Sequence, residues 1–266
     1  MSDIDETVPL PEIAELDFSD LKVALGKGWA DFRACPIYGI VFGAIFAFLG
    51  IILYMQFIVW RSDWSIVPFA AGFPMIAPFV AVGLYEVSRL REKDKNTTWR
   101  AVLQAIYAER KRQVPSMAFV VMFIFLIWVY MAHLVFALSF GLKPLTNVMS
   151  STDLLFTQEG ILMLFLGTLT GGFLSLVLFS ITVIGIPLLV DRDIDIISAM
   201  ITSVSLVLNN FVVMIAWGVF VGAVLLISML PMFLGLIISL PVLGHATWHL
   251  YRLAVLEGEG ANDLDA

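Results

Sequence analysis

Two histidines near the end of the last apolar segment have the spacing of metal ligands. His245 and His249 lie four residues apart in LPVLGHATWHLYR. A helix would place them on one face, where two imidazoles can reach one metal ion. A third ligand would have to come from Glu86 or from the acidic stretch Asp191–Asp195, which we predict to lie on the same side of a membrane.

An interfacial role explains the same histidines without a ligand. Pro241 lies near the middle of the apolar segment, so His249 is about 12 Å farther along a helix, close to the membrane surface. Trp248 and Tyr251 flank it, as is typical of a helix end anchored at that surface. We favour this interpretation, in which the deeper His245 bonds to a neighbouring helix. A proton or ligand site and a metal or haem site are the alternatives.

The acidic stretch DRDID offers a similar choice. Its alternating aspartates suggest a loop for a hard cation, but the glycine and the distal glutamate of an EF-hand are missing. Asp193 or Asp195 can instead cap an amphipathic helix that starts near Ile196, with Arg192 paired to a nearby carboxylate. We predict the cap, and no metal or cofactor. The candidate polar cluster comprises Glu86, Asp191, Arg192, Asp193, His245 and His249.

The composition is that of an integral membrane protein. Of 266 residues, 60% are hydrophobic and 14% are charged, and the mean hydropathy is +0.95. One cysteine and three histidines exclude a disulfide framework, a cysteine-based zinc site and a histidine-rich di-iron site. Seven acids and no Lys or Arg lie in the first 20 residues, unlike a signal peptide. We expect acidic tails at 1–18 and 253–266, and no binding of nucleic acid.

Six apolar segments between the tails are long enough to cross about 30 Å of hydrocarbon. They are Ile37–Val59, Val67–Val87, Ser116–Phe140, Ile161–Val190, Phe211–Leu230 and Met232–Tyr251. Thirteen of the fifteen Lys and Arg lie on one side of this topology, which places both termini in the cytoplasm. The last two segments are separated only by a turn around Pro231. The sequence therefore predicts an all-α polytopic protein of the bacterial inner membrane, with a single domain over 19–252.

A short amphipathic pattern precedes every second segment. Apolar residues recur at helical spacing in the stretches 21–32, 99–107 and 197–208. Each stretch is predicted to lie on the cytoplasmic face, and a pair of membrane segments follows it. We therefore predict three repeat units of one amphipathic helix and one transmembrane hairpin, at about 19–90, 97–190 and 195–252.

Small residues and prolines within the segments indicate how the helices pack. Three GxxxG pairs predict close helix contacts inside one bundle, with a dimer interface as the alternative: Gly39 and Gly43, Gly167 and Gly171, Gly218 and Gly222. The second segment contains Pro68, Pro74 and Pro78. Prolines of this kind occur in the broken helices of transporters, but we favour a static kink that shapes the bundle.

Four stretches resemble a bacterial family of predicted integral membrane proteins of unknown function. They are GWADFRACPIYGIVFGAIF, FPMIAPFVAVGLYEVSR, LLVDRDIDIISAMITSV and LPVLGHATWHLYR, and the similarity extends over Leu16–Arg252. The resemblance implies an inner-membrane protein and supplies no activity, cofactor or catalytic residue.

The scarcity of charge within the six segments shapes the functional prediction. Asp, Glu, Lys and Arg are absent from the segment centres, whereas coupled transporters usually place ionisable groups there. The motifs of common enzyme classes are also missing. We therefore predict a non-enzymatic accessory, scaffold or assembly protein for another membrane complex. The alternative is a passive pore or small-solute transporter, gated at the cytoplasmic ends of the second, fourth and sixth segments.

Overall fold

The computed structural model describes residues 11–56, 63–141 and 156–256, and no strand forms among them. The helices are α1 (Phe18–Ala34), α2 (Pro36–Tyr54), α3 (Asp63–Glu92), α4 (Trp99–Glu109), α5 (Val114–Phe140), α6 (Gln158–Thr182), α7 (Gly185–Asp191), α8 (Ile196–Asn209), α9 (Phe211–Met229) and α10 (Leu236–Ala254). The all-helical fold class is confirmed for these residues.

Four stretches of the described chain are long and apolar enough to cross a membrane. They are α2, α5, the stretch Gln158–Asp191 that contains α6 and α7, and α9. These agree with the first, third, fourth and fifth predicted segments. The helices α3 and α10 occupy the places of the second and sixth segments, but they are not among the four. That these two helices also cross, and that the six form three hairpins, stays a prediction.

The three predicted amphipathic stretches are helical, and each begins at a side-chain cap. Asp17, Thr98 and Asp195 accept hydrogen bonds from backbone N–H groups in the first turns of α1, α4 and α8, respectively. Such caps satisfy donors that a helix start leaves unpaired. The cap predicted at the DRDID stretch is therefore confirmed, with Asp195 as the capping residue.

The apolar faces of the short helices have different surroundings. In α1, Leu21, Ala24, Gly28 and Phe32 are buried, and α1 packs mainly on α10. The apolar face predicted to lie on the membrane is thus largely covered by protein. In α8 the predicted apolar face is exposed at Ile197, Ile201 and Leu208. The side of α8 that is buried carries Ala199, Leu206 and Val207 together with Thr202 and Ser203. The three short helices therefore all begin at a side-chain cap, but α1 and α8 differ in whether their predicted apolar face is buried.

The predicted fourth segment is interrupted. Helix α6 ends at Thr182, and α7 begins at Gly185. Pro187 explains the break, because it has no N–H to donate to the carbonyl of Val183, four residues earlier. At the break, the backbone N–H of Ile184 donates to Ser203 Oγ of α8, at 3.3 Å. By contrast, α3 continues through all three of its prolines.

The turn predicted around Pro231 is confirmed. Helix α9 ends at Met229, α10 begins at Leu236, and Met232 and Phe233 between them have positive φ angles of 53° and 64°. A Cβ at Gly235 would lie 2.7 Å from the backbone of Ser228. Glycine is therefore the residue that lets α10 fold back this tightly against α9.

Helix α10 lies at the centre of the fold and contacts α1, α2, α3 and α9. Two of its close approaches depend on glycines of other helices. A Cβ at Gly28 of α1 would lie 2.5 Å from the backbone N of Ala246, and a Cβ at Gly43 of α2 would lie 2.7 Å from Ile237 Cα. At Gly39 a Cβ would lie 2.9 Å from Pro241. These helices approach almost backbone to backbone, as small residues allow.

The other predicted glycine pairs are less tightly packed. A Cβ would lie 3.5 Å from Trp128 at Gly171, and 3.4 Å from Phe179 at Gly218. At Gly167 and Gly222 no described atom lies within 4 Å. Close packing predicted at these last two glycines is therefore absent within the described chain, because their faces of α6 and α9 point outward.

The described residues of the two predicted acidic tails pair with each other. Ile13 and Val255 form an antiparallel bridge, and Ala14 N donates to Ala254 O at 2.9 Å. Asn210 holds the same segment from α8, since its Oδ1 accepts from Leu16 N at 2.7 Å. Backbone pairing thus fixes residues inside both predicted tails, and the two ends of the domain lie together. The remaining tail residues, 1–10 and 257–266, lie outside the described chain.

Candidate functional site

A buried histidine lies between two carboxylates where α1, α3 and α10 meet. His249 Nε2 is 2.7 Å from Asp31 Oδ2, and His249 Nδ1 is 3.2 Å from Glu92 Oε1. The second contact is close enough for an ion pair, although it lacks the alignment of a hydrogen bond. A neutral imidazole would face one carboxylate with a lone pair, so this setting favours the imidazolium. Arg91 Nε completes the group with a 2.7 Å contact to Asp31 Oδ1.

Helix periodicity positions each member of this group. Asp31 follows Gly28 by three residues and Ala24 by seven, so it lies on the face of α1 that packs on α10. Glu92 is the last residue of α3. His249 lies near the end of α10, on the face turned toward both. The group therefore joins three helix ends that are far apart in sequence.

The second histidine lies deeper. His245 is fully buried, and its Nδ1 is 2.8 Å from the hydroxyl of Ser88 on α3. Ser88 lies three residues before Arg91, which contacts Asp31, and four before Glu92, which contacts His249, so both histidines connect to the same end of α3. The other ring nitrogen of His245, Nε2, has no hydrogen-bond partner in the described chain. His245 therefore bonds to a neighbouring helix, as the sequence interpretation expects.

Two buried aromatic side chains and three partly exposed charged ones extend the network to α7. Trp248 Nε1 donates to Glu92 Oε2 at 3.2 Å, and Tyr251 Oη donates to Asp191 Oδ2 at 2.7 Å. Arg252 lies between the two carboxylates, 3.6 Å from Glu92 and 3.5 Å from Asp191. Polar contacts thus connect α3, α7 and α10 at one end of the fold.

A second group fastens the junction of α4 and α5 to the loop after α7. The Arg112 guanidinium pairs with Glu109 and donates to the carbonyl of Arg192 at 2.9 Å. It also lies 3.5 Å from Asp193. Burial raises the pKa of Glu109 although Arg112 opposes the shift. This group ties the middle third of the chain to the loop that sequence analysis singled out.

The six predicted site residues divide among these groups. Glu86 pairs with Arg89 on its own helix and belongs to neither group. Arg192 donates to the carbonyl of Leu256 at 3.4 Å, and no carboxylate of a described residue forms an ion pair with it. Asp191 and His249 do meet in one network, and Asp193 meets Arg112. Among the described residues no group of three or more His, Cys, Asp or Glu has a geometry that could hold a metal ion.

Several members of the site are missing from the sequence prediction. They are Asp31, Ser88, Arg91, Glu92, Glu109, Arg112 and Tyr251. Asp31 carried a usable signal, because a charged residue on the apolar face of a helix needs a partner. Glu92 and Arg112 carried no such signal, because both occur in a strongly charged stretch whose composition is typical of solvated surface.

The geometry fits a structural network better than a reaction centre. Ser88, His245 and Asp31 are residue types of a nucleophilic triad, but Asp31 contacts His249 rather than His245. Ser88 and His245 are both fully buried, so no substrate reaches the hydroxyl. The hydrogen bonds connect the ends of α1, α3 and α10. They can stabilise the charge of His249 and fix the positions of these helix ends.

The network should weaken in acid. Burial opposes the charge on Asp31, but hydrogen bonds from His249, Ser88 and Arg91 hold the pKa of Asp31 below its usual value. Burial likewise opposes the charge on Glu92, and His249, Trp248 and Arg252 hold its pKa low. A carboxyl group with a lowered folded-state pKa stabilises the fold above its unfolded-state pKa of about 4, and this stabilisation is lost as pH falls through the folded-state value.

We therefore expect the thermal unfolding midpoint in detergent to drop between about pH 5 and pH 3. The drop should be smaller in Asp31→Asn, which cannot lose this charge, and unchanged in Glu15→Gln, which removes an exposed carboxyl. Parallel curves for the wild type and Asp31→Asn would show that the network carries no such stabilisation.

Comparison with known proteins agrees with this architecture. Residues 66–191, from the first turn of α3 to the end of α7, match the model of a family described as predicted integral membrane protein (DUF2189). The match covers a little less than half of the chain, and the LPVLGHATWHLYR end lies outside it. No curated protein and no solved structure matches the chain. Residues 66–191 are thus similar to a family of predicted integral membrane proteins whose function is unknown.

Proposed function

We propose that this membrane protein is a non-enzymatic accessory, scaffold or assembly component of another membrane complex. We place it in the bacterial inner membrane with both termini in the cytoplasm. The proposal gives the polar network a structural role and assigns binding to the apolar surface of the long helices. The pairing of Ile13 with Val255 agrees with termini on one side of the membrane.

The observation that carries the proposal is a hollow on the outward face of α6. It has a volume of about 410 Å³. Its lining residues are Phe165, Thr168, Leu169, Gly172, Phe173 and Leu176. They follow one another at the spacing of a helix contact face, with two small residues between large walls. No described atom lies within 4 Å of a Cβ at Gly172. A transmembrane helix of a partner protein fits such a hollow.

The packing of the predicted gate region supports a scaffold over a pore. Leu84 of α3, Leu188 of α7 and Leu250 of α10 are all at most 1% exposed. The apolar core here consists of two clusters, one with Leu188 and Leu250 and the other with Leu84, and Ile106 and Leu225 pack against both. A water-filled path between the second, fourth and sixth segments would have to pass through this core.

Site-specific photo-crosslinking in native membranes tests the proposal. A photoreactive amino acid at Leu169, which lines the α6 hollow and is 61% exposed, should give a stoichiometric adduct with one other protein. The same amino acid at Phe48 on α2, which is 64% exposed, should give lipid adducts only. Lipid adducts alone at both positions, at native expression level, would contradict a scaffold that works through α6.

A further inference from the structure

The end of α3 and the connection from it to α5 carry most of the positive charge of the chain. Eight Lys or Arg lie between residues 88 and 114. Three of them, Arg89, Arg91 and Arg112, pair with Glu86, Asp31 and Glu109, respectively. The other five form no ion pair with another described residue: Lys93, Lys95, Arg100, Arg110 and Lys111. The polar network thus uses only some of these cations.

Helix α4 gathers part of the remaining charge on one outward lane. Arg100, Leu103, Tyr107 and Lys111 follow one another at intervals of three or four residues, so they share one side of the helix and the turn after it. Leu103 is 55% exposed and Tyr107 is 60% exposed. Arg110 lies over the Tyr107 ring, with its Cζ 3.4 Å from the ring centroid. Cations therefore flank an exposed apolar pair.

The opposite side of α4 faces the protein. Val102 is fully buried in the core that α2 and α3 share, and Ile106 packs against it. Glu109 is the acidic residue of α4, and it is buried in its pair with Arg112. Negative charge is thus kept away from the lane, whose exposed charge is positive throughout.

Chain connectivity places this lane beside the membrane. Helix α5 begins at Val114, three residues after Lys111, and is one of the four helices with the length and hydropathy to cross. An exposed apolar pair at that level meets the boundary between headgroups and acyl chains. Cations beside the pair lie at the height of the lipid phosphates.

We propose that this lane of α4 is a binding surface for anionic phospholipids. Leu103 and Tyr107 enter the upper acyl region, and Arg100, Arg110 and Lys111 contact the phosphate and the anionic headgroup. Charge complementarity selects this occupant, because a zwitterionic headgroup offsets its own phosphate while an anionic headgroup does not. The proposal is independent of the partner assigned to α6.

Native mass spectrometry of the full chain in detergent measures this preference. Phosphatidylglycerol and phosphatidylcholine with the same acyl chains are titrated separately, and the retained lipid is counted. We expect the wild type to retain phosphatidylglycerol at several-fold lower lipid concentration. In Arg100→Gln/Lys111→Gln this preference should disappear, since each of the two basic residues contributes a factor of about five near an anionic surface. Equal retention of both lipids by the wild type would overturn the proposal.

Two further variants separate the lane from general electrostatics. Lys22→Gln/Lys27→Gln removes the same charge from exposed positions of α1 and should leave the preference within twofold of wild type. An equal loss in this control would show that total charge, not the lane, governs binding. Leu103→Gln should weaken retention of phosphatidylglycerol. If Leu103→Gln left the retention of phosphatidylglycerol unchanged and inorganic phosphate competed it away, the lane would be a simple anion site. That result would contradict the lipid assignment.

Discussion

Asp31→Asn is expected to lower the free energy of unfolding by about 3 kcal/mol, because it leaves the His249 imidazolium buried without its closest counter-charge. Asp31 and His249 side chains are 8% and 5% exposed, so water cannot replace the lost carboxylate. Arg91 loses a partner in the same change. Reversible unfolding by a denaturing detergent, in a defined micelle or bicelle, measures the loss.

The charge change itself needs a control. Glu15→Gln removes one exposed carboxyl just before α1 and should alter the free energy of unfolding by less than about 0.5 kcal/mol. His249→Gln in the Asp31→Asn background should cost less than in the wild type, because the two residues share one interaction. Additive losses would mean that Asp31 and His249 act independently, against the distances between them.

Gly43→Ala is expected to destabilise the protein by about 2–4 kcal/mol, although only one methyl group is added. The new Cβ would lie 2.7 Å from Ile237 Cα and 2.8 Å from the carbonyl oxygens of Leu236 and Ile237. These are backbone atoms, so α2 and α10 would have to move apart. Gly28→Ala should act in the same way between α1 and α10. The unfolding assay used for Asp31 measures both.

Two glycines on the outer faces provide the matched comparison. At Gly167 and Gly222 an added Cβ meets no described atom within 4 Å. Alanine there should be neutral or should stabilise by up to about 1 kcal/mol, since glycine is the poorer helix former. Similar losses at all four glycines would refute the view that backbone contact with α10 sets the effect. A loss at Gly222 alone would instead locate a contact with another molecule.

Much of the fold could be predicted from the sequence because apolar length and helical periodicity are local properties. The starts of α5 and α9, the turn between α9 and α10, and the cap of α8 at Asp195 all follow from residues close together in the chain. The break between α6 and α7 was missed although Pro187 marks it. The apolar run does not change where the backbone hydrogen bonding is interrupted, so hydropathy does not show the break. Whether the helix breaks there depends on a partner for the backbone, such as Ser203.

The site could be predicted only where one helix carries the signal. His245 and His249 were identified because they share a face of α10, and their depths relative to Pro241 gave the right order of burial. Their partners lie on α1 and α3, more than 150 residues away. The spacing of residues along one helix cannot reveal such partners. They depend on which helices pack together, and that depends on the glycines that allow close approach. The apolar face of α1 illustrates the same point, since Gly28 turns it toward α10 rather than toward lipid.

Hydrogen–deuterium exchange of the protein in lipid nanodiscs tests most directly whether the polar network closes the end of the bundle. The structure predicts that the backbone amides of 82–88, 186–190 and 243–250 exchange only on the timescale of global unfolding. Asp31→Asn should accelerate all three segments together, because one network holds them. A gate requires these segments to open while the rest of the bundle stays closed. Exchange within minutes in these segments alone, in the wild type, would contradict a fixed structural network and favour a pore.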